Sequence, residues 1–166
     1  MEGSPLIIYE EDARSLNVTL ARLCEEAKSK AVFLIDKAGQ LISCSGATAD
    51  LDTTSLASLT AGNIAATGGL AQLLGEKEFS ILFHEGKRDN LHISLVAGRM
   101  ILVVLFDHRS SLGLVRLRVK KASEEIARIF EEMLKRGEQQ AKEAKALFQA
   151  QFSQITDEDI ENLFSS

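Results

Sequence analysis

The stretch DTTSLASLTAGNIAATGGLAQLLGE, residues 52–76, decides how this chain folds. From Thr53 to Gly75 it carries no charge. Asp52 has the short acceptor side chain of an N-cap, with Thr53, Thr54 and Ser55 behind it, and Gly75 suits the residue that closes a helix. The spacing predicts a helix between them. At 3.6 residues per turn, Leu56, Leu59, Leu70, Leu73 and Leu74 fall on one side. Ser58, Ala61, Ala65, Gly68, Gly69 and Gln72 collect on the far side, where a surface helix would carry Lys and Glu. Adjacent mid-helix glycines cost about 1 kcal/mol each relative to alanine. Small residues let another backbone come close, so this outward face is expected to meet something. A fully buried core helix would also lack charge all round, and that alternative stays open. The hydroxyls, Asn63, Gln72 and glycines argue against a membrane span, which needs a run of about 20 predominantly apolar residues.

Composition narrows the function. The 166 residues suffice for one domain with extras, and 45% apolar with 26% charged is ordinary for a globular protein. A net charge of -5 argues against nucleic acid as a partner, whose binders show a basic excess. Eight Phe, one Tyr and no Trp leave little for stacking on bases. No charged segment followed by an apolar one opens the chain, so no secretory signal is expected. Cys24 and Cys44 lack metal-ligand spacing and are expected to be reduced thiols in a cytoplasmic protein.

Around the central helix the period of the pattern changes. Residues 6–9 form a short apolar run, a strand or a strap, and residues 11–28 read as a helix carrying Leu16, Leu20, Leu23 and Ala27. Residues 31–36 and 40–45 are strand-like, joined by a hairpin at Lys37-Ala38-Gly39. Three more strands are predicted at 81–85, 90–97 and 100–107, with a turn at Gly98-Arg99. The unbroken apolar run of residues 100–106 suggests a strand covered on both faces, in mid-sheet. A last helix spans about 112–135, with Val115, Val119, Ala122, Ile126, Ile129, Phe130 and Met133 on one face. The expected architecture is α/β. It is a three-layer α-β-α sandwich, a five-stranded largely antiparallel sheet with one helix on one face and two on the other. Residues 1–136 would form that domain. The Gln-, Ala-, Lys- and Glu-rich residues 137–154 would be a linker or a loosely held helix, and residues 155–166 a separate short helical motif.

No catalytic signature emerges. His84, His92 and His108 have no ligand spacing, and no phosphate loop, dinucleotide fingerprint or nucleophile elbow is present. Arg99 and Arg109 lie in predicted loops, where an arginine finger could in principle reach a nucleotide. Arg116 to Lys121 form a basic patch that an acidic partner could use. No cofactor and no metal are expected.

The segments VFLIDKAGQLIS (32–43), 52–76, FHEG (83–86) and LVVLFDHRSSLGLVRLRVKKAS (102–123) resemble the roadblock family, and within it the bacterial MglB type. DEDIENLF (157–164) resembles the C-terminal end of some of its members. The resemblance implies a homodimer whose domains pair edge to edge with the central helices side by side. It implies a Ras-like small GTPase of the MglA type as partner, bound by two copies and stimulated without an arginine finger. The GTPase's own Arg and Gln would then reach the nucleotide. It further implies a role in cell polarity and motility, other polarity proteins as partners, and a cytoplasmic location with enrichment at a pole. Ser58, Ala61, Ala65, Gly68, Gly69 and Gln72 become the expected GTPase contact. The alternative is a roadblock scaffold that assembles a polarity complex and stimulates nothing.

The tail is a helix prepared in sequence. Thr156 and Asp159 have capping-box spacing, and Ile155 and Ile160 are placed for a hydrophobic staple. Asp157, Glu158 and Asp159 fill the first turn, where the helix dipole favours negative charge. Ile160, Leu163 and Phe164 share one face, an expected partner motif. At about eight residues such a helix is too short to be stable alone, so it is expected to form against a groove.

Overall fold

The computed structural model describes residues 8–153 and 155–165. It divides into two compact units, one of Tyr9–Ile129 and one that comprises, among the described residues, Ile8 and everything from Phe130 onward. Of the apolar run at 6–9, residues 6 and 7 lie outside the described residues, and Ile8 and Tyr9 are not in a strand.

The first unit runs α1 (Glu10–Glu26), β1 (Ala31–Asp36), β2 (Leu41–Gly46), α2 (Thr53–Leu74), β3 (Ile81–Glu85), β4 (Asn90–Val96) and β5 (Met100–Phe106), then enters α3 (Leu112–Phe152). The strands form one antiparallel sheet in the order β2-β1-β5-β4-β3. Every residue of β5 is buried, as an unbroken apolar run requires of a central strand.

The period of two sorts the core into halves. Phe33, Ile35, Ile93, Ile101 and Val103 face one way and pack with Ala57, Ala61 and Ile64 of α2. Val32, Leu34, Leu102 and Val104 face the other way, toward α1 and α3. There Leu16, Leu20 and Leu23 of α1 are buried, as are Val115, Val119, Ala122 and Ile126 of α3. Each such large apolar side chain contributes about 1.5–3 kcal/mol relative to leaving it exposed. The ion pairs Arg22–Glu125 and Arg118–Glu26 join α1 to α3 at the surface, where such pairs contribute about 0–1 kcal/mol. The result is the three-layer sandwich read from the sequence, with α2 on one face and two helices on the other.

Two glycines set close approaches. Gly39 has φ +91° in the β1–β2 hairpin, and a Cβ there would come within 3.2 Å of the Ser58 Cα. Gly46 has φ +96°, and a Cβ there would collide with the Lys30 carbonyl and the Cys24 sulfur. Both cysteines are free.

The last helix runs past its expected end near residue 135. Residues 137–152, expected as a linker or a loosely held helix, continue α3 without a break to Phe152. The Ala, Gln, Glu and Lys that dominate there are strong helix formers, and the single Gly137 does not outweigh them. Residues 138–152 are exposed along this extension, and Phe148 and Phe152 form a tilted pair one turn apart, with ring centroids 4.4 Å apart.

Candidate functional site

The capping read from the sequence holds α2 at both ends. The Asp52 carboxylate accepts from the Ser55 N–H at 3.0 Å and the Ser55 hydroxyl at 2.6 Å, which lowers its pKa. Gly75 closes the helix at φ 77°, and its N–H donates to the Gln72 carbonyl at 3.2 Å.

The rotation of α2 on the sheet is not the one its leucines suggest. Ala57, Thr60, Ala61, Ile64 and Ala71 face inward, whereas Leu59, Leu70, Leu73 and Leu74 are 57–84% exposed. Short side chains let the helix axis lie close to the sheet, and the close approach of Gly39 to Ser58 and Ala61 fixes it there. Ala61 is therefore a core residue, 8% exposed, and the expectation that it faces outward does not hold. The remaining small residues stay at the surface: Ser58, Ala65, Gly69 and Gln72 are exposed and Gly68 is half-buried.

Ala61, Ala65, Gly68, Gly69 and Gln72 line a groove of about 450 Å³. Lys37, Lys77, Glu78 and Phe79 line it too, together with Ile64 and Leu95. Ser58 is not part of it; it lies against Gly39 of the hairpin. A Cβ on Gly68 or Gly69 would meet nothing within 4 Å, so the glycines leave an open, smooth wall. Sequence reasoning missed Lys77 and Phe79. The signal was a lone aromatic in the polar segment 76–80, just after the helix closes.

The leucine flank of α2 lies beside the sheet edge. Asn63 Nδ2 contacts His84 Nε2 of β3 at 2.9 Å, and Leu59, Asn63 and Leu70 lie at i, i+4 and i+11 on that flank. β3 is an edge strand with Ile81 half-exposed and Phe83 36% exposed. An edge strand with an exposed apolar ridge beside it is a surface made to be covered.

The arginines considered as fingers are placed differently. Arg109 forks onto Asp107 of its own chain, with Nη2 to Oδ2 at 3.1 Å and Nε to Oδ1 at 3.1 Å. These bonds hold the Asp107 carboxyl down at about 2. Arg99 is half-buried in the β4–β5 turn. Among the described residues, no group of three or more His, Cys, Asp and Glu could hold a metal ion. No helix among them is long and apolar enough to cross a membrane.

In the second unit, α4 (Asp157–Phe164) carries the capping box read from the sequence. The Thr156 hydroxyl accepts from the Asp159 N–H at 3.3 Å, and Asp159 Oδ2 accepts from the Thr156 N–H at 3.0 Å. The Thr156 N–H, and then its hydroxyl, donate to the Asp159 carboxylate and lower its pKa. Ile160, Leu163 and Phe164 are exposed, the last two at 77% and 86%.

Comparison with known proteins gives these surfaces a context. The Roadblock/LC7 domain matches residues 16–106. MglB of Myxococcus xanthus is 58% identical over 77% of this chain and 96% of its own, with a TM-score of 0.73. The gliding protein MglB of Thermus thermophilus is 34% identical over 78% of this chain and 98% of its own, with a TM-score of 0.72. A further MglB structure, described as having a tetrameric arrangement, is 33% identical over 79% and 98%, with a TM-score of 0.74. No curated protein matches the chain at a comparable level.

Proposed function

Because the chain belongs to the Roadblock/LC7 domain family, as a protein of the MglB type, we propose that it is a homodimeric activator of a Ras-like small GTPase of the MglA type. It has no active site of its own. It acts in bacterial polarity and motility, in the cytoplasm and at a cell pole. The observation that carries this reading is the groove on α2, whose wall of Ala65, Gly68 and Gly69 is open, uncharged and free of catalytic groups. Such a wall admits close docking and offers the nucleotide nothing chemical.

The mechanism is therefore conformational. A partner that binds the hydrolysis-competent GTPase more tightly than the idle one raises the competent-to-idle ratio by the ratio of the two affinities. Each tenfold in that ratio needs about 1.4 kcal/mol of differential binding. The GTPase's own Arg and Gln then do the chemistry.

Dimerisation follows from the edge of the sheet. Pairing β3 with β3 of a second copy would satisfy its free backbone groups and continue the sheet. A two-fold axis normal to the sheet keeps α2 and its copy on one face, with their leucine flanks together. Covering Leu59, Leu70 and Leu73 supplies the apolar burial that a stable interface needs.

Single-turnover GTP hydrolysis by the cognate GTPase, with and without this protein, tests the proposal. Acceleration is expected. Binding without acceleration would leave the scaffold reading standing instead. In the same assay, Arg99→Ala and Arg109→Ala should leave the stimulated rate within about tenfold, whereas an arginine finger contributes about 10³–10⁵. A thousandfold loss in either variant with binding intact would sink the conformational mechanism.

The tail adds a second contact. The exposed Ile160, Leu163 and Phe164 of α4 offer an apolar face to the bound GTPase. Tethering two contacts raises affinity through effective concentration. Deleting residues 155–166 should weaken GTPase binding at least severalfold while leaving the dimer folded, and Leu163→Ala with Phe164→Ala should reproduce most of the loss. Equal affinities by titration calorimetry would remove the tail from the interface.

A further inference from the structure

Under α3, on the face of the sheet away from α2, two polar side chains are buried without partners. His92 and Ser94 are successive residues on that face of β4, 1% and 5% exposed. Among the described residues, neither ring nitrogen of His92 nor the Ser94 hydroxyl has a hydrogen-bond partner. The register explains why. Phe83 and Val104 flank His92 across the neighbouring strands, and Ile81 and Leu102 flank Ser94. None of those side chains can donate or accept.

Both polar groups line a partly open cavity of about 290 Å³. Arg116, Lys120 and Ser123 of α3 line it from the other side, and Ser80 lies before β3. Arg116 and Lys120 stand one turn apart, and neither forms an ion pair among the described residues. No carboxylate lines the cavity.

We propose that this cavity is a binding site for a phosphoryl group, as free phosphate or as a small phosphate monoester. Its chemistry is one-sided: a guanidinium, an ammonium, an imidazole and three hydroxyls, all able to donate. A phosphate dianion matches the two cations in charge, and its three terminal oxygens accept more bonds than the two of a carboxylate. The volume lies near the lower end of small-molecule sites, about 300–1,000 Å³, which leaves room for a small organic group beside the phosphate. Burial and then Arg116 hold His92 below its ordinary pKa, so the ring of the free protein is neutral. A bound dianion favours the protonated ring, which donates from both nitrogens. Binding therefore draws a proton onto His92. The site lies on the sheet face opposite the α2 groove and does not depend on the GTPase reading.

Histidine side-chain ¹⁵N shifts of the full chain test this directly. Inorganic phosphate and glycerol 3-phosphate are titrated separately at constant ionic strength near neutral pH, with sulfate as the comparison anion. The His92 nitrogens should move saturably toward imidazolium with at least one phosphate ligand, while His84 stays unmoved. Saturation by phosphate alone identifies the free ion as the ligand; tighter binding of glycerol 3-phosphate identifies a monoester. Arg116→Ala and Lys120→Ala, both at exposed positions, should each weaken binding about tenfold through a lost charge-assisted contact. Three results overturn the assignment: an unmoved His92, equal binding by the variants, or sulfate bound as tightly as phosphate.

Discussion

Gly69→Arg is expected to abolish GTPase binding while leaving the protein folded, self-associated and more thermally stable. The last part is the less obvious. A Cβ at Gly69 would meet nothing within 4 Å, so a new side chain there starts into open space in the free protein. Replacing a mid-helix glycine by arginine improves helix propensity by roughly 0.8–1 kcal/mol, which raises the melting temperature. In the complex the same side chain fills a groove meant for close approach. It places a long cation in a groove whose lining already sets two cations, Lys37 and Lys77, against one carboxylate, Glu78. Burying an unpaired charge in a docked interface costs several kcal/mol, so affinity should fall by about a hundredfold or more. Titration calorimetry with the GTP-bound GTPase reads the loss, and circular dichroism reads the fold. Ala65→Arg should behave alike in binding. Retained affinity in both variants would move the GTPase contact off this groove.

The second large effect concerns the leucine flank. Leu59→Asp with Leu70→Asp should turn the dimer into a monomer that keeps its fold. Both side chains are more than half exposed in the single chain, at 75% and 57%, so their loss leaves no cavity in the core. Across a two-fold axis the double substitution removes four leucines, each contributing about 1.5–3 kcal/mol when covered, and introduces four carboxylates that repel. Self-association should weaken by a thousandfold or more, about 4 kcal/mol, which sedimentation equilibrium resolves. A variant that sediments as the wild type does would place the self-association surface elsewhere and leave the exposed ridge for another partner.

Local chemistry made much of the chain legible. The caps of α2 at Asp52 and Gly75, the hairpin at Gly39, the central place of β5 and the capping box of Thr156 and Asp159 each follow from residues within a few positions of one another. Five of the six small residues singled out on α2 do line one groove. The continuation of α3 was partly legible, since residues 137–152 are rich in helix formers. With Leu147, Phe148 and Phe152 as their only sizeable apolar residues, the pattern leaves a linker and a loosely held helix both open.

Sequence by itself determined most of the helices and strands from Glu10 to about residue 135, and which of their residues share a face. It could not determine which face of α2 meets the sheet. A helix with one polar side has its rotation fixed by the cost of burying charge, but α2 has two uncharged sides and no such constraint. The tertiary structure decided in favour of the face of Ala57, Ala61 and Ile64, whose two alanines let the helix lie close to Phe33, Ile35 and Val103. That choice sent the leucines outward to flank β3. Likewise, period-two alternation put His92 and Ser94 on one face, but only the packing of α3 over them closed that face, leaving two polar groups buried beside Arg116 and Lys120. Patterns along the chain report neighbours on one element; which surfaces are covered depends on contacts between elements far apart in sequence.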